Sequence, residues 1–115
     1  MRDNLESNFF LKMNDQVDVF VRQWTGVESP VGVLQLAHGM AEHSERYADF
    51  ARACNDQGFI VVANDHRGHG RTGEKGGLMG YFAESDGFDR VVDDLEQITS
   101  WIKETYPQLP VFLMG

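Results

Sequence analysis

Near the amino end, Phe9, Leu11 and Met13 occupy alternate positions, and Val17, Val19 and Val21 do the same beyond Asn14-Asp15-Gln16. Two period-two stretches joined by such a turn predict a β-hairpin with one packed face and one wet face. After a surface loop over 26–32 containing Pro30, the pattern changes: Val33 to Ala37 is apolar apart from Gln35, as in a strand covered on both faces. A helix is predicted over 44–57, because Tyr47, Phe50, Ala51 and Cys54 fall at i, i+3, i+4 and i+7, with Gly58 as the residue just past its end. Phe59-Ile60-Val61-Val62-Ala63 is a second buried strand, and strand, helix, strand at this spacing is a right-handed parallel unit.

The glycine-rich stretch 65–80 holds too many breakers for regular structure. Ser85 or Asp86 can cap a second helix with the stripe Phe88, Val91, Val92, Leu95, Ile98 and Ile102. Asp86 and Asp89 near its start and Lys103 near its end suit the helix dipole, and Pro107 stops it. Val111–Met114 is a third buried strand, which needs a neighbour on each edge and cover on both faces. The predicted fold class is therefore α/β: a β-hairpin plus three parallel strands with crossover helices. Residues 1–115 are expected to form an incomplete domain, because nothing in the sequence follows the last strand to cover it.

Chemistry enters at the turn after Ala37. Gly39 allows the backbone to bend sharply, so that the next amides point outward at the carboxyl end of a strand, where ligands of open sheets bind. Free N–H groups there can stabilise negative charge developing on a substrate oxygen. Such donors are half of a site.

Composition narrows the field. The net charge of −8 disfavours nucleic acid and anionic membrane surfaces as partners. The single cysteine, Cys54, excludes an internal disulfide and fits a reducing compartment. The residues after Met1 lack a signal peptide's apolar core, and no apolar run approaches the length of a membrane span, so a cytoplasmic location is expected. His66 and His69, with Asp65 nearby, lack the ligand complement zinc needs, and no metal is expected. The stretch Gly68-His69-Gly70-Arg71-Thr72-Gly73 formally matches G-x-G-x-x-G. Gly76, Gly77 and Gly80 then forbid the helix that a pyrophosphate site requires, so no nucleotide cofactor is expected either. Cys54 on the helix stripe reads as a small core residue, and Asp93, Asp94 and Glu96 read as a solvated helix face.

Three segments together resemble a known family. His38-Gly39-Met40-Ala41-Glu42-His43-Ser44-Glu45-Arg46-Tyr47, then Asp65-His66-Arg67-Gly68-His69-Gly70, then Tyr106-Pro107-Gln108-Leu109-Pro110-Val111-Phe112-Leu113-Met114-Gly115 are similar, in order and spacing, to the α/β-hydrolases of the monoacylglycerol lipase and lysophospholipase branch. The resemblance implies that the strand at Val111–Met114 leads into a nucleophile elbow, G-x-S-x-G, whose first glycine is Gly115. It implies a serine ester hydrolase without a cofactor, with the Met40 backbone N–H as one oxyanion donor and a small-molecule acyl ester as substrate. The nucleophilic serine and the Asp and His of the triad fall beyond the matched segments. The resemblance implies that His38 shapes the turn and is not the catalytic base. Glu42, His43 and Arg46 are expected to brace the turn as a local polar network. Alone, this chain is expected to be inactive. Two alternatives stay open: a stand-alone interaction module pairing through its last strand, or the same fold with aminopeptidase, thioesterase, epoxide hydrolase or haloperoxidase chemistry.

Overall fold

The computed structural model describes residues 6–37, 47–65 and 87–114, the first four of the last stretch by backbone alone. The strands are β1 (Glu6–Lys12), β2 (Asp18–Trp24), β3 (Gly32–Ala37), β4 (Phe59–Asn64) and β5 (Val111–Met114); the helices are α1 (Ala48–Asp56) and α2 (Gly87–Thr105). All five strands join one sheet in the order β1-β2-β4-β3-β5. The hairpin pairs antiparallel and β2 pairs antiparallel with β4, while β3 runs parallel to both β4 and β5. This is the predicted hairpin plus three parallel strands. The expected helix cap at Ser85 or Asp86, the start of the first helix before Tyr47 and the glycine-rich stretch after Asp65 lie outside the described residues.

Two apolar clusters sandwich the sheet. On one face Val19, Val21, Val33, Ile60 and Val62 pack with Ile98 and Ile102 of α2. On the other, Trp24, Leu36, Val61 and Ala63 pack with Ala51 of α1. Alternate strand residues supply the two clusters because successive side chains point to opposite faces. The hairpin departs from expectation here. β2 is covered on both faces, since Phe20, Arg22 and Trp24 are buried opposite the valines. Arg22 keeps its charge beneath the surface by stacking on the Phe20 ring at 5.0 Å and pairing with Glu6 at 3.1 Å.

The helices also bury polar residues at positions that their spacing turns inward. On α1, Phe50 is exposed and Asn55 is buried, its Nδ2 donating to the carbonyls of Trp24 at 3.1 Å and Phe59 at 2.7 Å. On α2, Val92 is exposed and Asp94 is 1% exposed, so Asp94 does not belong to the solvated face read from the sequence. Its spacing from Val91 and Ile98 places it on the inward stripe in spite of its charge. Gln35 is the polar exception in β3 and is fully buried. Its Nε2 donates to the Leu95 carbonyl at 3.1 Å. The Thr99 hydroxyl lies 2.5 Å from Gln35 Oε1 and 2.9 Å from the same carbonyl, one proton serving two acceptors. The strand is thereby latched to the helix by satisfied polar groups.

Gly58 takes the position expected of it past the end of α1, with φ +96°. Its N–H donates to the Asn55 carbonyl at 3.0 Å and its own carbonyl accepts from Val31 N–H at 2.8 Å. A Cβ there would touch Val31 at an ordinary 3.4 Å, so the cost of a side chain is one of backbone conformation. Gly58→Ala is expected to lower unfolding free energy by about 1–2 kcal/mol, read as a reduced urea midpoint with an unchanged slope.

Candidate functional site

The site is framed by the carboxyl ends of three strands. In register, Leu36 faces Met114 across the β3–β5 pair, and Ala37 faces Asn64 across the β3–β4 pair. The chain moves from β3 outward to β4, then returns across β3 to β5. Right-handed crossovers taken in opposite directions must place their helices on opposite faces. That is observed: α1 joins the Trp24 cluster and α2 the Ile98 cluster. The strand order therefore reverses between β3 and β5, and the crevice at such a reversal is where open α/β sheets bind ligands.

The Gln35 latch sits two residues before β3 ends, so the strand that delivers the turn is held from the α2 side. At the end of β4, the Asp65 N–H donates to the Phe20 carbonyl at 2.9 Å, with Asn64 and Asp65 both buried. The sequence-derived site residues His38, Gly39, Met40, Glu42, His43, Arg46 and Gly115 lie outside the described residues, as do His66 and His69. The described framework brings together the two strand ends that carry Met40 and Gly115, Ala37 and Met114, on neighbouring strands of one sheet.

Cys54 is half-buried, and burial pushes its thiol above the ordinary range, which keeps it protonated and a poor nucleophile. It packs against the Trp24 cluster, as read from the helix stripe, and its outer side lines an apolar groove of about 480 Å³ with Leu34, Phe50, Phe59 and Phe112, on the α1 face of β3 and β5. Burial likewise raises the Tyr106 hydroxyl, which donates to Gln23 Oε1 at 2.9 Å and ties the end of α2 to the hairpin. The groove was not read from the sequence. Its signal was present in Phe50, an aromatic side chain on a helix too short to bury all of its stripe.

β5 lacks the full cover that a buried parallel strand needs, as the sequence reading expected of an incomplete domain. Phe112, Leu113 and Met114 are 51%, 61% and 40% exposed, so the third strand is not buried among the described residues. It lies at the edge of the sheet, paired with β3 and touching α2, with the Phe112 ring set edge-on against Phe59 of β4 at 6.2 Å.

A sheet with an antiparallel hairpin at one side, a reversal at β3 and helices on both faces has the frame of the α/β-hydrolases. A family model described as Serine aminopeptidase, S33 (Hydrolase_4) matches residues 28–115, and the chain belongs to that family. It is 38% identical to the monoglyceride lipase homolog of Monkeypox virus over 84% of this chain and 33% of that protein. It is also 38% identical to the monoglyceride lipase of Homo sapiens, over 84% of this chain and 30% of that protein. Among solved structures, a thermostable carboxyl esterase from Bacillus coagulans in complex with glycerol superposes with a TM-score of 0.88 at 29% identity, covering 98% of this chain and 36% of the esterase. The chain thus spans about a third of the length of the curated relatives it matches. Within the family it is similar to the monoacylglycerol lipase branch, as its three motifs implied. No helix among the described residues is long and apolar enough to cross a membrane.

Proposed function

We propose that this chain supplies part of the active site of a serine ester hydrolase acting on monoacylglycerol- or lysophospholipid-like esters. The observation that carries the reading is the pairing of Leu36 with Met114 at the strand reversal, which brings the two site-bearing strand ends side by side. In this reading the turn beyond Ala37 presents the Met40 N–H to the carbonyl oxygen of the ester. The elbow beginning at Gly115 delivers a serine, two positions further on in the G-x-S-x-G pattern, to the carbonyl carbon. As the serine oxygen bonds to carbon, the carbonyl π electrons move to the oxygen, and the Met40 N–H with the amide after the serine stabilises that oxyanion. The serine's proton passes to the triad histidine of this mechanism and from it to the departing alkoxide, so collapse expels an alcohol and leaves an acyl-serine, which water then hydrolyses. His38, Gly39, Glu42, His43 and Arg46 hold the turn in shape. The substrates named for the relatives, monoglycerides above all, support this class of ester.

One oxyanion donor is worth about 10²–10³ in turnover, and it works only with a nucleophile. The purified 115-residue chain is therefore expected to give no hydrolysis of p-nitrophenyl esters above a matched blank. Turnover well above the blank would overturn the assignment of roles. A second reading, an interaction module that pairs through its last strand, draws support from the exposure of Phe112, Leu113 and Met114. A stable monomer in sedimentation, with a protected β5 and no binding of apolar dye, would exclude it.

A further inference from the structure

Gln35 stands where packing alone would ask for an apolar side chain. In register it lies between Val62 of β4 and Leu113 of β5, on the face that Ile98 and Ile102 of α2 cover, and it is fully buried. Its amide is met at both ends: Nε2 donates to the Leu95 carbonyl at 3.1 Å, and Oε1 accepts from the Thr99 hydroxyl at 2.5 Å. Stability alone does not call for this set. Apolar groups of the same shape in place of both partners would be nearly neutral. A threonine bonded back to the carbonyl four residues earlier, as Thr99 is to Leu95 at 2.9 Å, tends to bend its helix. What the polar set supplies is direction. Apolar contact is non-directional and tolerates a strand that slides or tilts beneath a helix. A hydrogen bond weakens steeply when its angle or length changes.

The place of the set in the fold says which movement it stops. α2 packs on both β3 and β5 and immediately precedes β5 in the chain. Gln35 lies two residues before the end of β3. Val33 N–H donates to the Pro110 carbonyl at 2.9 Å. A parallel ladder continued from that bond turns the Ala37 N–H toward Met114, the last link between the two strand ends. The latch thus ties the strand that delivers the turn to the helix that leads into the neighbouring strand. We propose that Gln35, held by Thr99, is a positioning residue of the hydrolase site. It fixes the end of β3, and with it the Met40 N–H, against the end of β5 where the nucleophile elbow begins. The inference rests on the hydrolase reading above and adds to it the side chain that sets the spacing between oxyanion donor and nucleophile. Such spacing matters to the rate, because a misplacement of about 1 Å can cost about 10²-fold.

The test compares two variants of the 115-residue chain with the unchanged chain by heteronuclear NMR, amide exchange and urea titration. Gln35→Leu combined with Thr99→Val removes the whole polar set at nearly constant volume and orphans no member of it, so a nearly unchanged urea midpoint is expected. In that double variant, exchange at Ala37 is expected to quicken by about tenfold or more, while Val61 in the middle of β4 changes by less than about twofold. The Met40 amide resonance is expected to move with Ala37. Thr99→Ser keeps the hydroxyl and is expected to keep the native Ala37 rate and the native Met40 resonance. Three results would overturn the positioning role. The first is an unchanged Ala37 rate or Met40 resonance in the double variant. The second is equal quickening at Ala37 and Val61 with a lowered urea midpoint, which would make the latch a stabilising contact only. The third is a Thr99→Ser chain that behaves as the double variant does. Hydrolysis of p-nitrophenyl esters by the unchanged chain would sink the hydrolase reading and leave the exchange result standing. An unmoved β3 end would sink the latch and leave that reading standing.

Discussion

Trp24→Ala is expected to cost the chain about 3–5 kcal/mol, the range for emptying a buried aromatic site. Trp24 is 2% exposed and fills the space between the sheet and α1, against Leu36, Ala51, Val61 and Ala63. Its indole N–H also donates to Glu6 Oε1 at 3.0 Å, and the other oxygen of that carboxylate takes the Arg22 guanidinium at 3.1 Å. Removing the ring opens a cavity and frees one oxygen of a carboxylate that helps to hold Arg22 beneath the surface. Against a total stability of about 5–15 kcal/mol for a domain, such a loss brings the chain close to its unfolding midpoint. Urea titration followed by far-ultraviolet circular dichroism would measure it. Trp24→Phe should recover most of the apolar part and none of the hydrogen bond. A Trp24→Ala loss below about 1 kcal/mol would mean that the α1 face is not the packed layer described here.

The second large effect is expected at Asn55. Its amide nitrogen bridges the Trp24 and Phe59 carbonyls, tying α1 to the end of β2 and the start of β4. Asn55→Leu nearly preserves the volume but leaves two acceptors in a buried setting without their donor, a loss of about 2–6 kcal/mol at about 1–3 kcal/mol for each orphaned group. Asn55→Asp adds a pH dependence of predictable sign. A buried carboxyl facing two carbonyl oxygens favours its protonated form, so its folded pKa rises above the unfolded value. The unfolded state then releases its proton first. Stability is greatest below the unfolded carboxylate pKa, and it falls as pH rises from about 4 through the raised folded pKa. Urea midpoints for Asn55→Asp at acidic and neutral pH, set against Asn55→Leu over the same range, would show the slope. A flat difference between the two variants would mean that position 55 faces solvent.

Most of the fold was legible because its signals are local. The run from Phe59 to Ala63 is apolar throughout and too short for a helix, so it had to be a strand covered on both faces. Gly58 announced the end of α1, since glycine alone enters its φ region without strain. The reversal of strand order is seen in the register of β3 with β4 and β5. The site was legible only in part. The turn after Ala37 stood out by its glycine and its place after a buried strand. The residues that carry its chemistry, Met40 and Gly115 among them, lie outside the described residues and remain proposals.

Polarity is a poor guide to exposure in this fold, and it misled the sequence reading at Asp94. Asn55, Asp94, Arg22 and Gln35 are all buried, and each sits at a position that helical or strand spacing turns inward. Periodicity fixes which way a side chain points, but only the neighbours decide whether a polar group pointing inward finds partners. Those partners come from distant parts of the chain: Leu95 and Thr99 for Gln35, Trp24 for Asn55, Glu6 for Arg22.

By itself, then, the sequence determined the class of fold and the order of its elements. These depend on period, turn chemistry and the handedness of connections, all of which act over a few residues or follow from general chain geometry. The tertiary structure alone decided that β2 is covered on both faces and that a groove opens beside Phe112. Burial is a property of what other segments deliver to a surface, and that is settled only when the layers assemble.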